Sequence, residues 1–183
     1  MLVIGITGTL GAGKGTVVDH LVNEHGFNHY SVRQYLLNEI EKQALQPNRD
    51  SMVIVANALR SEHTPHFIIS ELFDRAIYDG KDAVIESIRT PGEVDFLRQQ
   101  DQFLLLAIDA DPYLRYERIK SRKSETDDID FATFIENEKR EMTASDPNKQ
   151  NLQECIQMAD IKFMNNGNIK ELIYQVDEKL FGG

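Results

Sequence analysis

The 183-residue chain has one cysteine, Cys155, and no tryptophan. A single thiol excludes an intramolecular disulfide framework and suits a reducing compartment, so the expected location is the cytoplasm. Basic residues are also scarce: 20 Lys and Arg stand against 30 Asp and Glu, a formal net charge of −10. That balance argues against broad nucleic-acid binding, because phosphate backbones are held by a basic surface. It leaves room for a small phosphorylated ligand, which needs only a local group of arginines. Long apolar runs are missing too. The longest uninterrupted one, Phe103–Ile108, falls far short of a membrane span, so no membrane partner is expected. The start carries no basic residue ahead of its apolar stretch, unlike a signal peptide. With no internal repeat and no Pro/Gly/Ser-rich linker, residues 1–183 read as one domain.

What is present alternates between two periodicities. Leu2–Thr7 reads as a buried strand, and Val17, Val18, Leu21 and Val22 follow at helical spacing, predicting a helix over Lys14–His25 stopped by Gly26. Further strands are predicted at Phe27–Ser31, Ala83–Ser87, Phe103–Asp109 and Asp160–Met164. Helices are predicted at Val32–Ala44, Met52–Arg60, Pro65–Tyr78, Glu93–Gln99, Pro112–Ser121 (capped by Asp111), Phe131–Met142 and Ile169–Leu180. Strands alternating with helices imply an α/β fold, a parallel sheet with helices on both faces, hence three layers. Ligands of such sheets gather at the carboxyl ends of the strands. That rule directs attention to Gly8–Thr16, Ser31–Arg33, Glu86–Arg89, Asp109 and Asn165–Asn168.

Gly8-Thr9-Leu10-Gly11-Ala12-Gly13-Lys14-Gly15-Thr16 lies between a predicted strand and a predicted helix, the context that a phosphate-binding loop requires. Glycines let the backbone wrap a β-phosphate with its N–H groups turned inward. The helix N-terminus adds its positive dipole end, and Lys14 supplies a full charge for the β- and γ-oxygens. Thr16 can turn a hydroxyl toward a magnesium ion or its waters. The expected ligands are ATP and Mg²⁺. A guanine-reading Asn-Lys-x-Asp is missing: Asn148-Lys149-Gln150-Asn151 lacks the aspartate and follows Asp146-Pro147 rather than an apolar strand, so it reads as a polar loop.

Phosphoryl transfer needs charge neutralisation and an acceptor held in line. At the end of the strand AVIES, Glu86 can meet magnesium or orient the acceptor, and Arg89 can hold an acceptor phosphate. Arg115, Arg118, Lys120, Arg122 and Lys123 crowd one short stretch of an acidic chain, with Arg118 and Arg122 four residues apart. His63 and His66 straddle Pro65 with no third ligand in evidence, so they are weak metal candidates. Cys155 reads as helix packing, and Tyr30, Tyr35 and Phe67 as core.

G-x-x-G-x-G-K-G-T resembles the loop of adenylate kinase and other nucleoside-monophosphate kinases, with Gly15 standing between the lysine and Thr16 and Leu10 in the usual place of a proline. Glu86–Arg89 resembles their D-G-x-x-R segment. The segments IGITGTLGAGKGT, LQPNRDSMVIVANALRSEHTP, VIESIRTPGEVDFLR and ADIKFMNNGNIKELIYQVDEKL span nearly the whole chain. Together they resemble a group of small archaeal-type proteins related to adenylate kinase and dephospho-coenzyme A kinase. The tail is also similar to that of phage-type deoxynucleoside monophosphate kinases. The resemblance implies a P-loop kinase fold of the nucleoside-monophosphate-kinase kind and ATP binding. It makes Arg118 and Arg122 the start of a short lid at about 121–130, completed by Lys139 or Arg140, and sets Asn166 and Gly167 beside the adenine ring. It also implies that residues 31–78 line the acceptor. There the family's T-G-D-x-x-R is absent, and Arg33 or Arg60 is left to substitute for its arginine. The expected activity is transfer of the ATP γ-phosphate to a small nucleotide acceptor, foremost a nucleoside or deoxynucleoside monophosphate. Dephospho-coenzyme A as acceptor and a non-catalytic ATP-binding regulatory module are the alternatives.

Overall fold

In the computed structural model, residues 1–122 and 129–182 are described. Five strands form one wholly parallel sheet: β1 (Val3–Gly8), β2 (Asn28–Ser31), β3 (Ala83–Glu86), β4 (Phe103–Asp109) and β5 (Ile161–Met164). Their order across the sheet is β2-β3-β1-β4-β5. The helices are α1 (Lys14–His25), α2 (Val32–Lys42), α3 (Arg49–Glu62), α4 (Phe67–Asp79), α5 (Pro91–Arg98), α6 (Pro112–Ser121), α7 (Phe131–Met142), α8 (Leu152–Met158) and α9 (Ile169–Phe181). α1, α6 and α7 have the bounds expected from the sequence.

The main differences occur where a cap, rather than hydrophobic spacing, sets the boundary. Asn48 accepts from the Ser51 amide, so α3 begins at Arg49, ahead of the expected start at Met52. Thr90 and Glu93 form a capping box, which starts α5 at Pro91 rather than at Glu93. α8, whose bounds were not read from the sequence, is capped by Asn151.

Alternation along the strands makes a core on each face. Val3, Ala83, Ile85 and Leu105 pack with buried residues of α2–α5 and α8 on one side. Ile4, Ile6, Val84, Leu106 and Ile108 pack with Val17, Leu21, Leu172 and Val176 from α1 and α9 on the other. Tyr116, Ile119 and Phe134 join α6 to α7 in a smaller cluster. Tyr30, Tyr35 and Cys155 are buried in the first core as expected, and burial raises the thiol pKa of Cys155. The register sets Ser31 opposite Glu86 and Gly8 opposite Ile108, so the strands end together around β1, where the connections diverge to the two sides. No helix among the described residues is long and apolar enough to cross a membrane.

Candidate functional site: a glycine loop facing a wall of arginines

The loop from Gly8 to Thr16 runs from β1 into α1 in a shape that side chains would oppose. Gly8, Gly11 and Gly13 have φ of +128°, +80° and +103°, in the left-handed half of conformational space. A Cβ on Gly11 would lie 2.6 Å from the Arg115 carbonyl, and one on Gly13 would lie 2.5 Å from Asn165 Nδ2. A Cβ on Gly15 would meet nothing. The glycines thus serve two ends: those up to Gly13 let the loop pack against its support, while Gly15 keeps the first turn of α1 open. Gly13 precedes that helix without a side-chain cap, leaving amides of the first turn for an anion. Ala12 is buried, and its carbonyl accepts from Asn165 Nδ2 at 2.8 Å.

Lys14 folds back over the loop. Its Nζ donates to the carbonyls of Gly8 at 2.9 Å and Thr9 at 2.6 Å. Desolvation, helped by the positive charge of Arg89, lowers its pKa to about 7. Open amides beside a desolvated ammonium form a donor set that suits a polyphosphate, so the residues fit the expected nucleotide. Thr16 and Glu86 offer a hydroxyl and a carboxylate, oxygen donors of the kind that hold a magnesium ion retaining several waters. A hydrogen bond with His29 holds the Glu86 carboxyl below its ordinary pKa against the opposing effect of burial, assisted by Ser31 Oγ at 2.9 Å.

Beyond the loop a cavity of about 480 Å³ extends between β3 and the helices α2 and α3. Leu10, Gly11, Gly13, Lys14 and Gly15 form its floor; Val32, Leu36, Met52, Val53 and Ala56 form an apolar wall. Arg33, Arg49, Arg60, Arg89 and Arg122 also line it, with Glu86 and Glu141. Ser87, at φ +67°, turns the chain into this space between Glu86 and Arg89. The Thr7 hydroxyl and the Ile6 carbonyl pin the turn by bonding Ile88.

The arginines differ in how they are held. Arg60 is buried, and its Nε and Nη2 both donate to Glu93 Oε1, at 3.2 and 2.8 Å. Glu93 Oε2 accepts from the amides of Arg89 and Thr90, so one carboxylate joins α3 to the turn after β3. Arg60 Nη1 is buried and has no hydrogen-bond partner among the described residues. Arg89 donates to Glu141 at 2.6 Å and to Gln150 at 3.1 Å, and Arg49 pairs with the other oxygen of Glu141. Burial alone would raise the Glu141 carboxyl; Arg89 and Arg49 more than offset it and hold the group below its ordinary value. Arg33 is loosely held, 3.9 Å from Met52 Sδ.

The arginines of α6 do not act together as expected. Arg122, the residue after the helix, reaches the cavity. Arg118 instead donates to the carbonyls of Asn165 and Gly167, at 3.0 and 3.3 Å. Arg115 is buried between Glu138 and the carbonyls of Ala110 and Leu10, bracing the loop from behind. Arg122 caps α6 in helical backbone geometry, so the two stand one turn apart, yet their long side chains end on different partners. Asn166 accepts from the Asp111 amide, tying the turn after β5 to the start of α6. The lid expected at about 121–130, with Lys123, lies for the most part outside the described residues. Lys139 and Arg140 are exposed on α7, and the residue of that helix reaching the cavity is the acidic Glu141.

Sequence reasoning passed over Arg49, Glu93, Glu141 and Gln150. Only Glu93 had a local signal, the Thr-x-x-Glu of a capping box; the other three reach the site through tertiary packing. His63 and His66 each stack on a different ring, Phe67 and Phe96, and so do not converge on an ion.

Known proteins share this chain's sequence or fold. A UPF0200 protein of Methanococcus vannielii is 31% identical over 187 residues, covering 97% of this chain and all of that one. Among solved structures, shikimate kinase from Bacteroides thetaiotaomicron superposes with a TM-score of 0.59 at 14% identity, covering 98% of each chain. A sugar kinase from Janibacter gives 0.59 at 15% identity, covering 97% of this chain and 92% of that one. These likenesses establish the fold as that of P-loop kinases. With the model described as an AAA domain matching residues 4–144, the chain belongs to that family of nucleotide-binding domains and, more narrowly, to the UPF0200 proteins.

Proposed function

We propose that this protein is an ATP-dependent kinase that phosphorylates a nucleoside or deoxynucleoside monophosphate. The observation that carries the reading is that the glycine loop with Lys14 lines the same cavity as Arg33, Arg49, Arg60 and Arg89. A monophosphate would set its phosphate among these arginines, where Arg60 Nη1 offers a buried donor without a partner, and its flat base against the apolar wall of α2 and α3. Lys14 and the loop amides would hold the β- and γ-phosphates, Asn166 and Gly167 would adjoin the base of ATP, and Arg122 would draw in over the transferred group. Magnesium held near Thr16 and Glu86 would supply charge neutralisation. The chain's own residues then have to position two anions end to end, the main demand of phosphoryl transfer.

A hydroxyl acceptor such as that of dephospho-coenzyme A is the second reading. It is favoured by Glu86, kept ionised at the cavity, where it can orient a hydroxyl. The fold neighbours named shikimate kinase and sugar kinase point the same way.

The test is ADP release by the purified chain with ATP and magnesium, across the nucleoside and deoxynucleoside monophosphates and dephospho-coenzyme A. One monophosphate should stimulate turnover, and Lys14→Ala should reduce it by about 10²–10³-fold, the scale of a lost preorganised charge contact. Stimulation by dephospho-coenzyme A alone selects the second reading. ATP binding with no stimulated turnover would favour the regulatory module.

A further inference from the structure

At the far end of α1 from the glycine loop, two of the chain's five histidines turn toward one carboxylate. His20 Nε2 lies 2.6 Å and His25 Nε2 3.0 Å from the same oxygen, Oδ1 of Asp177 on α9. One potential ligand atom from each residue falls within 4.8 Å of the other two. The ring orientations are supported by packing. His25 stacks on Phe181 at 3.7 Å between centroids, and His20 meets the edge of His25 at 5.1 Å. The geometry points to a metal site made by His20, His25 and Asp177, taking a divalent late transition metal such as zinc.

Two imidazoles and one carboxylate match zinc and its neighbours rather than magnesium or calcium, which prefer all-oxygen shells. A tetrahedral ion with bonds of about 2.0–2.1 Å holds its ligand atoms ~3.3 Å apart, so admitting it requires Asp177 Oδ1 to draw back by about 0.7 Å from His20 Nε2 and about 0.3 Å from His25 Nε2, within the reach of side-chain rotation. The side chains of His20, His25 and Asp177 are 13%, 25% and 42% exposed, enough for an ion to enter and for water to complete its shell. In binding, each imidazole offers the Nε2 lone pair and carries its proton on Nδ1, and Asp177 offers a carboxylate oxygen. The other histidines are engaged elsewhere: His29 approaches Glu86, and His63 and His66 stack on Phe67 and Phe96. The ion would fasten α9 to the helix that carries Lys14, at the end remote from the cavity. It is therefore a structural site, independent of the kinase reading.

The experiment uses the full chain, stripped with EDTA and desalted, and titrated with zinc chloride against a chromophoric chelator. One equivalent should bind with sub-micromolar affinity. His20→Ala and Asp177→Asn should each weaken binding at least about tenfold, while His63→Ala should bind as the parent does. Zinc should also raise the melting temperature of the parent and not of those two variants. Cobalt chloride added to the stripped parent keeps the test independent of variant folding. Intense visible d–d absorption of a four- or five-coordinate ion supports the site, and the faint spectrum of hydrated cobalt overturns it. Failure to bind zinc, or equal binding by parent, His20→Ala and Asp177→Asn, also overturns it.

Discussion

The two walls of the cavity are built by different means. The floor, Gly8–Thr16, is backbone: its donors are amides, its shape comes from left-handed glycines, and its one charge, Lys14, rests on two carbonyls of the same loop. The facing wall is made of side chains from distant elements. Arg60 leans on Glu93, 33 residues away, and Arg89 on Glu141, 52 residues away. Backbone geometry can be specified by neighbouring residues alone. An arginine cluster in a chain of net charge −10 needs carboxylates to hold it together while leaving some donors open to a ligand.

The difference can be tested first where the side-chain wall is most deeply buried. Glu93→Ala leaves the Arg60 guanidinium buried and unpaired and opens the cap of α5, so it should destabilise the fold by about 3–5 kcal/mol in chemical denaturation. A loss below 1 kcal/mol would mean that Arg60 reaches water by another route.

The floor has its own signature in pH. The Lys14 pKa is about 7 in the folded chain and 10.5 ordinarily, so between those values the unfolded chain retains a proton that the folded one has released. Stability of the unliganded protein should therefore rise from about pH 7 toward 10.5, and Lys14→Met should flatten that rise. Denaturation midpoints of both proteins across this range provide the measurement. Parallel curves would show that the loop does not desolvate its lysine.

Glu141 carries the opposite sign. Its pKa is lowered on folding, so its contribution is present above its ordinary value of 4.5 and lost as the pH falls through the lower folded value. Glu141→Gln should cost at most about 1.5–3 kcal/mol at neutral pH, and the gap to the parent should close in acid. The smallest effect belongs to Gly15. A Cβ there meets open space and φ is not left-handed, so Gly15→Ala should stabilise the unliganded chain by about 0.5–1 kcal/mol, read from its melting curve. If it also weakens ATP binding, the open first turn of α1 is occupied by the ligand.

The same contrast accounts for what was legible beforehand. α1, β4, α6 and α7 could be bounded from the sequence because apolar spacing, Gly26 and the Asp111-Pro112 cap all act within a few residues. The start of α3 was missed because Asn48, embedded in a turn-like stretch, acts through a single side-chain hydrogen bond. Helical spacing pairs Arg118 with Arg122, yet the carbonyls after β5 capture the first side chain while the second reaches the cavity.

By itself, then, the sequence determined the alternating α/β order, the parallel sheet and the phosphate-type loop, because hydrophobic period, glycine and helix-capping chemistry operate between near neighbours. Tertiary structure alone decided which arginines face that loop, that Glu93 and Glu141 hold two of them, and that His20, His25 and Asp177 meet at the other end of α1. Charged side chains take their positions from whatever packing brings within about 3–4 Å, and that is set by the sheet order and the helices laid across it rather than by spacing along the chain.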